Sequence, residues 1–176
     1  MTLHLLVEGP SERAFLEPWL QRLLPGVPVK VHPHQGKGAL PDDIDAAPSP
    51  VRRGVLDQLP AKLRAFGRDS SLELGVLVLV DADDDDCVDL ANRIREVARH
   101  VAPELRFAAR VAVEEMEAFY LGDLAALRRA YPDADLARAE EYDPDSVCST
   151  WELFGQIVGD GGGNKVAWAA AMGPRV

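Results

Sequence analysis

Two short acidic motifs follow apolar runs and carry residue types that bind hard metal ions. Glu8 follows the run LHLLV at residues 3–7, and Asp81 and Asp83 follow the run LELGVLVLV at residues 72–80. Mg²⁺ and Mn²⁺ prefer oxygen ligands, and Mg²⁺ keeps several waters. Two ions roughly 3.5–4 Å apart can clamp the attacking and leaving oxygens of a phosphodiester. The residue types therefore indicate a Mg²⁺ or Mn²⁺ site suited to phosphodiester hydrolysis.

The second motif also suits helix capping, because the run DADDDD at residues 81–86 precedes a predicted helix. Acidic residues at this place cap a helix and complement its dipole. Capping needs only one or two of the five carboxylates, and like charges packed this closely repel. We therefore favour metal binding for Asp81 and Asp83. We interpret residues 84–85 as solvated and leave Asp86 open.

Other metal sites fit the sequence poorly. An EF-hand is excluded because the acidic run has no central glycine and its twelfth position is Asn92. The two cysteines, Cys87 and Cys148, are isolated and have no histidine at zinc-ligand spacing. His32 and His34 are interpreted as surface histidines in a loop, with a weak metal role as the alternative.

Two glycine-rich segments resemble phosphate loops only superficially. GDGGGNK, residues 159–165, has Asn164 before the lysine and no Ser or Thr after it, so ATP binding is rejected there. Lys165 still suits either a phosphate contact, as a point charge, or a solvated position. QGKG, residues 35–38, leaves the same two interpretations open: a backbone contact to phosphate, or a plain loop.

Strands and helices alternate along the first two thirds of the chain, which predicts a parallel α/β sheet. Ser11 is expected to cap the first helix. The polar, Gly- and Pro-rich segment 32–50 is predicted to be a loop. Strands are predicted at residues 3–7, 27–31, 72–80 and 105–113, and helices at 11–24, 51–66, 87–101, 114–121, 124–130, 150–158 and 165–172.

The two acidic motifs can share a metal ion only if the first and third strands are neighbours. Ligands of open α/β sheets bind outside the carboxyl ends of the strands, near the point where the strand order reverses. We therefore predict a central, mostly parallel four-stranded sheet in the order 2-1-3-4, flanked by helices. A single domain is expected over residues 1–176, with a core at 1–122 and a helical and loop extension at 123–176.

The segments LLVEGPSERAFLEPWL and VLVDADDDD resemble the TOPRIM domain, and the first is most similar to that of OLD-type nucleases. The whole series of segments resembles a TOPRIM-like family named domain of unknown function 4276. The other matching segments are QGKGAL, LPAKLRAF, VEEMEAFYLGD and the region around Lys165. Relatives are expected to continue through another helix after the position of Val176.

The resemblance implies Glu8, Asp81 and Asp83 as metal ligands. It also implies Glu115 and Glu117 as candidates either for ligands of a second metal ion or for general base catalysis, with Glu117 the candidate catalytic residue. If the fourth strand continues, the two glutamates share a face by its period of two. If a helix has begun, Glu117 pairs with the residue at 114 instead, and a solvated helix face remains the alternative.

Bulk composition limits the partners. The chain has 176 residues and a net charge of −10, which disfavours coating nucleic acid by charge alone but allows contact through bound cations. No secretory signal or membrane span is evident, and two cysteines fit a reducing compartment, so a cytoplasmic location without membrane contact is expected. A homodimer is expected from the high frequency of dimers among oligomeric proteins, although no segment of the sequence indicates the interface.

The leading hypothesis is a Mg²⁺- or Mn²⁺-dependent nuclease, by analogy in defence against foreign DNA. Its substrate is expected to be DNA rather than RNA. The chain lacks the ATPase segment of OLD-type nucleases, so a separately encoded ATPase partner is a further hypothesis. Two alternatives remain: a non-catalytic metal-binding module that supports such an ATPase, and a phosphoacceptor domain that uses Asp81 and Lys165.

Overall fold

The computed structural model describes residues 1–68, 73–113, 115–143, 150–161 and 163–176. Its strands are β1 (Thr2–Val7), β2 (Val29–Pro33), β3 (Leu74–Asp81) and β4 (Phe107–Ala112). Its helices are α1 (Pro10–Leu23), α2 (Val55–Gly67), α3 (Cys87–Val101), α4 (Ala118–Leu121), α5 (Leu124–Ala130), α6 (Leu136–Glu140), α7 (Thr150–Ile157) and α8 (Lys165–Met172).

The four strands form one parallel sheet in the order β2-β1-β3-β4, as predicted. Leu5 of β1 pairs with Val31 on one side and with Leu77 on the other, and Val78 of β3 pairs with Ala109. The first and third strands are therefore neighbours. Because parallel strands end at the same edge of a sheet, the chain segments after β1 and β3 emerge side by side.

Helices cover both faces of the sheet, which explains why β3 is apolar at successive positions. Val78 and Val80 point into a cluster with α2 and α3, and Leu79 points into a cluster with α1 and α4 to α8. The cluster that contains Leu79 includes residues from both sides of residue 122, where the sequence predicts the boundary between the core and the extension. The division into a core and an extension stays a prediction.

The first helix begins earlier than predicted, at Pro10 with Gly9 as its N-cap, and Ser11 is not the cap. Proline suits the first helical position because its missing N–H would have no partner there. The Ser11 hydroxyl instead donates to Glu12 Oε1 at 2.9 Å. The second helix begins at Val55, after Gly54, whose N–H donates to Asp57 Oδ2 at 3.1 Å.

Two other predicted boundaries shift with tertiary contacts. β2 spans Val29–Pro33 instead of 27–31, since its pairing begins where Leu3 N–H donates to the Pro28 carbonyl. A helix was predicted over 114–121, but α4 begins only at Ala118, and the residues before it form a turn. Leu72 and Glu114, which began the third predicted strand and this helix, lie outside the described residues.

The last helix is anchored against the first. Gly173, just after α8, lies so close to α1 that a Cβ there would come within 2.6 Å of the Phe15 carbonyl oxygen. Arg22 of α1 donates from Nη1 to the Gly173 carbonyl at 2.8 Å. This packing fixes α8, whose first residue is Lys165, relative to the sheet.

No helix in the described part of the chain is long and apolar enough to cross a membrane. The longest described helix, α3, has 15 residues and carries charged side chains along one side.

Candidate functional site

Glu8 and Asp81 meet at the carboxyl edge of the sheet. Asp81 is the last residue of β3, and its backbone N–H donates to Glu8 Oε1 at 2.8 Å. Glu8 follows β1, and its own carbonyl accepts from Gly36 N–H at 2.9 Å. The sheet order thus brings together two of the residues that the sequence predicted as metal ligands.

Burial among other acids raises the pKa of both groups. The pKa of Glu8 is raised to about 7, mainly by burial and further by Asp83 and Glu12, against the opposing Asp81 N–H bond. Burial and then the charges of Glu8, Glu12 and Glu117 raise the pKa of Asp81 to about 8. Without a cation, the edge therefore holds protons near neutral pH, because several negative charges cannot share a partly buried space.

Asp83 is oriented differently from Asp81. It has a left-handed backbone, with φ of 47°, and its side chain is 54% exposed. Lys37 Nζ lies 2.7 Å from Asp83 Oδ2 and 2.9 Å from Asp85 Oδ2, and it donates to the Ala82 carbonyl. Asp85 is exposed, as predicted, with 42% of its side chain accessible, and it also forms an ion pair that the sequence did not predict.

The cap of α3 is Asp86, which the sequence left open. Its Oδ1 accepts from Val88 N–H and Asp89 N–H, both at 2.9 Å. The residues of the acidic run therefore have different roles. Asp86 caps α3, Asp83 pairs with Lys37, and Asp81 lies at the partly buried carboxyl edge of the sheet.

A close contact between glycines holds the loop that carries Lys37. Gly38 has a φ of +66°, and a Cβ at Gly54 would come within 2.6 Å of its Cα. Leu56 N–H, in the first turn of α2, donates to the Lys37 carbonyl at 2.8 Å. The segment QGKG is therefore a structured loop that directs a lysine to the edge of the sheet.

Glu115, Glu117 and Lys165 form a second charged group. Lys165 Nζ donates to Glu115 Oε1 at 3.0 Å and lies 3.7 Å from Glu117 Oε2. Glu115 Oε2 accepts from Trp151 N–H at 3.1 Å, and the Trp151 ring lies under the Lys165 ammonium. The two glutamates precede α4 in a turn, so neither a continued strand nor a helix places them.

Glu117 is the most buried acid of the described residues, at 2% exposure. Its Oε1 has no hydrogen-bond partner among them. Burial raises the pKa of Glu117, although Lys165 opposes this shift. The pKa of Lys165 is itself raised, since Glu117 and Glu115 outweigh the effect of burial.

The sequence interpretation missed Glu12. This residue is 8% exposed, its Oε2 has no partner in the described part of the chain, and its charge acts on Glu8, Asp81 and Glu117. One signal was available: Glu12 precedes Phe15 and Leu16 by three and four residues, so it lies on the apolar face of α1. An acid on that face must be buried.

Tyr120 is a second missed residue. Its hydroxyl is buried without a hydrogen-bond partner among the described residues. Burial, together with Glu117, Glu12 and Asp81, raises its pKa, so the phenol stays neutral. A neutral hydroxyl beside these acids can donate a hydrogen bond to one of them or to a bound oxygen.

The carboxylates do not form a closed ligand set as they stand. Within the described residues, no three His, Cys, Asp or Glu side chains converge on a point that would hold an ion. Three of the nearby acids instead have one oxygen turned to a protein donor: Glu8 to the Asp81 N–H, Asp83 to Lys37, and Glu117 towards Lys165. The donor chemistry nevertheless suits a hard cation, because buried carboxylate oxygens of Glu12 and Glu117 lack donors.

Of the two predicted loop histidines, His34 lies in the loop after β2, as predicted, and His32 does not. His32 lies in β2 instead of a loop, and its ring stacks on His4, with 2.9 Å between His32 Nε2 and His4 Nδ1. Burial and the nearby charges lower its pKa to about 4. The His34 ring is held by the Val7 carbonyl at 2.8 Å. The His4 and His32 rings also contact Phe66 of α2, so they are packing elements on that face of the sheet.

Comparison of the sequence with known proteins and protein families identifies a family and nothing narrower. No curated protein and no solved structure matches the chain. The model of one family matches residues 7–155, a range that includes Glu8, the acidic run and Glu117. Because this match covers well over half of the chain, the protein belongs to the family described as Domain of unknown function (DUF4276).

Proposed function

We propose that this protein is a divalent-metal-dependent nuclease that hydrolyses phosphodiester bonds of nucleic acid, with DNA favoured over RNA and Mg²⁺ or Mn²⁺ as the cofactor. One observation carries the proposal. Glu8 and Asp81 meet at the carboxyl edge of a parallel sheet, beside the buried Glu12 and Glu117, and the last two have carboxylate oxygens that lack donors. Such an arrangement is costly for folding alone and gains stability from a cation.

Four carboxylates are the best ligand candidates: Glu8, Asp81, Glu12 and Glu117. Asp83 and Glu115 lie at the border, where Lys37 and Lys165 engage them. When bound, the metal would act as a Lewis acid on the phosphate and offset its negative charge. Its entry requires the protons to leave Glu8 and Asp81, whose pKa values lie near neutrality.

The side chains of this protein supply the remaining chemistry. Lys37 pairs with Asp83 and Lys165 with Glu115, and each ammonium can shift to a phosphate oxygen as a point charge. Glu117 Oε1, which is buried and without a partner, can accept the proton of an attacking water. Burial raises the pKa of Glu117, which makes it a stronger base than an ordinary glutamate.

The finer family assignment also belongs to this proposal. The strand ends carrying Glu8 and the Asp81-x-Asp83 pair resemble the TOPRIM domain of OLD-type nucleases, and the strand order 2-1-3-4 agrees with it. We extend the analogy to a cytoplasmic role in defence against foreign DNA, with a separately encoded ATPase as partner. A homodimer is also part of the proposal, and the mass of the protein in solution tests it.

Calorimetry and cleavage together test the proposal. Mn²⁺ would be titrated into the parent, into Glu8→Gln/Asp81→Asn, and into the control Asp42→Asn/Asp84→Asn, which removes two exposed acids. We expect the first variant to lose Mn²⁺ binding and the cleavage of plasmid and single-stranded DNA, while the control retains both. Equal Mn²⁺ binding by parent and both variants would refute the metal site.

A second candidate function is a non-catalytic metal-binding module that supports a partner ATPase. The contacts of Lys37 favour this module, because the lysine forms ion pairs with both Asp83 and Asp85. These pairs reduce the number of carboxylates that are free to bind a second metal ion. Metal binding without cleavage, in the presence as well as the absence of the native ATPase, would select the module over the nuclease.

A further inference from the structure

A groove of about 560 Å³ lies beside the turn that carries Glu8. It is lined by residues that include Pro10, two positions after Glu8, and Gln35. The two walls are tied together, because Gln35 N–H donates to the Arg53 carbonyl at 3.1 Å. The next residue, Gly36, donates to the Glu8 carbonyl at 2.9 Å. The groove therefore lies next to the backbone of the turn that carries Glu8.

The charge of the groove is opposite to that of the whole protein. The chain carries a net charge of −10. Among the described residues that line the groove, however, Arg53 and Lys62 are cations and none is an Asp or a Glu. Arg53 is exposed, and its Nε makes only a long bond of 3.4 Å to the Pro50 carbonyl. Arg53 can thus reach an anion without breaking a strong ion pair.

The remaining lining suits sugars and bases. Pro10, Pro33, Pro48 and Pro50 line the groove with rigid rings that have no N–H to satisfy. Gln58 holds the far wall in place, donating from Nε2 to the carbonyls of Ser49, at 3.1 Å, and Arg52. Proteins that follow a single nucleic-acid strand combine a positively charged groove with side chains on which bases stack. Here the cations are Arg53 and Lys62, and the proline rings supply the apolar surface.

We propose that one strand of nucleic acid lies in this groove, with backbone phosphates on Arg53 and Lys62, and that it passes from there to the edge at Glu8 and Asp81. The inference rests on the proposed nuclease function and adds its substrate class, a single strand. A duplex fits less well, because its second backbone would face the acidic remainder of the surface and be repelled. Arg53 and Lys62 are positioning residues in this scheme.

Binding of a fluorescein-labelled single-stranded oligodeoxynucleotide tests the inference. Anisotropy would be measured over a series of NaCl concentrations, in Ca²⁺ and in EDTA, for the parent and Arg53→Gln/Lys62→Gln. The control Arg95→Gln/Arg99→Gln removes two cations from a smaller hollow at α3 and β4 that likewise has no acidic lining among the described residues. Thermal unfolding of each variant verifies that it is folded.

The groove variant should bind at least about tenfold more weakly at low salt. Its plot of log K against log salt should be flatter by about 1.4, because each lost phosphate contact on a single strand contributes about 0.7. The control should stay within about twofold of the parent, and the parent should prefer the single strand to a duplex of the same sequence. The single variants Arg53→Gln and Lys62→Gln should each give about half of the slope change.

The outcomes separate this inference from the nuclease proposal. If the parent cleaves DNA and Arg53→Gln/Lys62→Gln binds and cleaves it equally well, strand binding in the groove is refuted and the nuclease proposal stands. If the strand binds through Arg53 and Lys62 but no metal supports cleavage, the nuclease is refuted and the groove stands. Equal losses of binding affinity in Arg53→Gln/Lys62→Gln and in the control, or a preference of the parent for duplex, would also refute strand binding in the groove.

Discussion

Replacing Asp81 with asparagine should stabilise the metal-free protein at alkaline pH. Asp81 lies partly buried beside Glu8, Glu12 and Glu117, and these surroundings raise its pKa to about 8. In the unfolded chain, an aspartate ionises near its ordinary pKa of about 3.9. Between these values the native state binds the extra proton, so the free energy of unfolding must fall as pH rises. Asparagine carries no charge and avoids this loss.

The size of the effect follows from the pH window. Between about pH 5.5 and pH 8, about 1.4 kcal/mol per pH unit gives a ceiling of about 3.4 kcal/mol for the stability lost by the parent. Relaxation of the neighbouring side chains and coupling to Glu8 reduce this value. We therefore expect the advantage of Asp81→Asn over the parent to grow by about 2–3 kcal/mol between about pH 5.5 and pH 8.5.

Urea unfolding in EDTA at these two pH values measures the difference. The control is Asp84→Asn, which removes one exposed charge from the same acidic run. Parallel pH profiles for the parent and Asp81→Asn would refute the reasoning, as would an equal gain in the control. Either result would mean that solvent or a local rearrangement relieves the charge at the edge of the sheet.

Three further predictions follow from the same contacts. Mn²⁺ should bind more tightly as pH rises through 7 to 8, with proton release visible by calorimetry in buffers of different ionisation enthalpy, because Glu8 and Asp81 must lose protons; a flat profile would contradict this. Lys165→Met should lower the free energy of unfolding by about 1–3 kcal/mol, since the buried Glu117 loses its cation, whereas the exposed Lys30→Met should change it little. Gly38→Ala should cost about 1–2 kcal/mol more than Gly36→Ala, because both have positive φ but only Gly38 would place its Cβ against Asp57 and Gly54; equal costs in chemical denaturation would show that the contact yields.

The sequence was sufficient for the sheet and for the proximity of Glu8 and Asp81. Long apolar runs ended by Glu8 and Asp81 predict buried parallel strands, and a shared metal requires their strands to be neighbours. That requirement led to the order 2-1-3-4, which the structure confirms. Hydrophobic periodicity and the ends of apolar runs are local features, so they can be recognised in the sequence without knowledge of the tertiary structure.

Side-chain partners were beyond the sequence, because they depend on residues distant along the chain. Lys37 meets Asp83 across 46 positions, and Lys165 meets Glu115 across 50. No local pattern distinguishes these lysines from solvated ones, and only the packing of α8 on α1 and of the Gly38 loop on α2 directs them inward. Burial also depends on which face of a helix meets the sheet. That face decided that Glu12, an ordinary first-turn acid by sequence, belongs to the buried acidic edge, where the energy of its charge depends on everything packed around it.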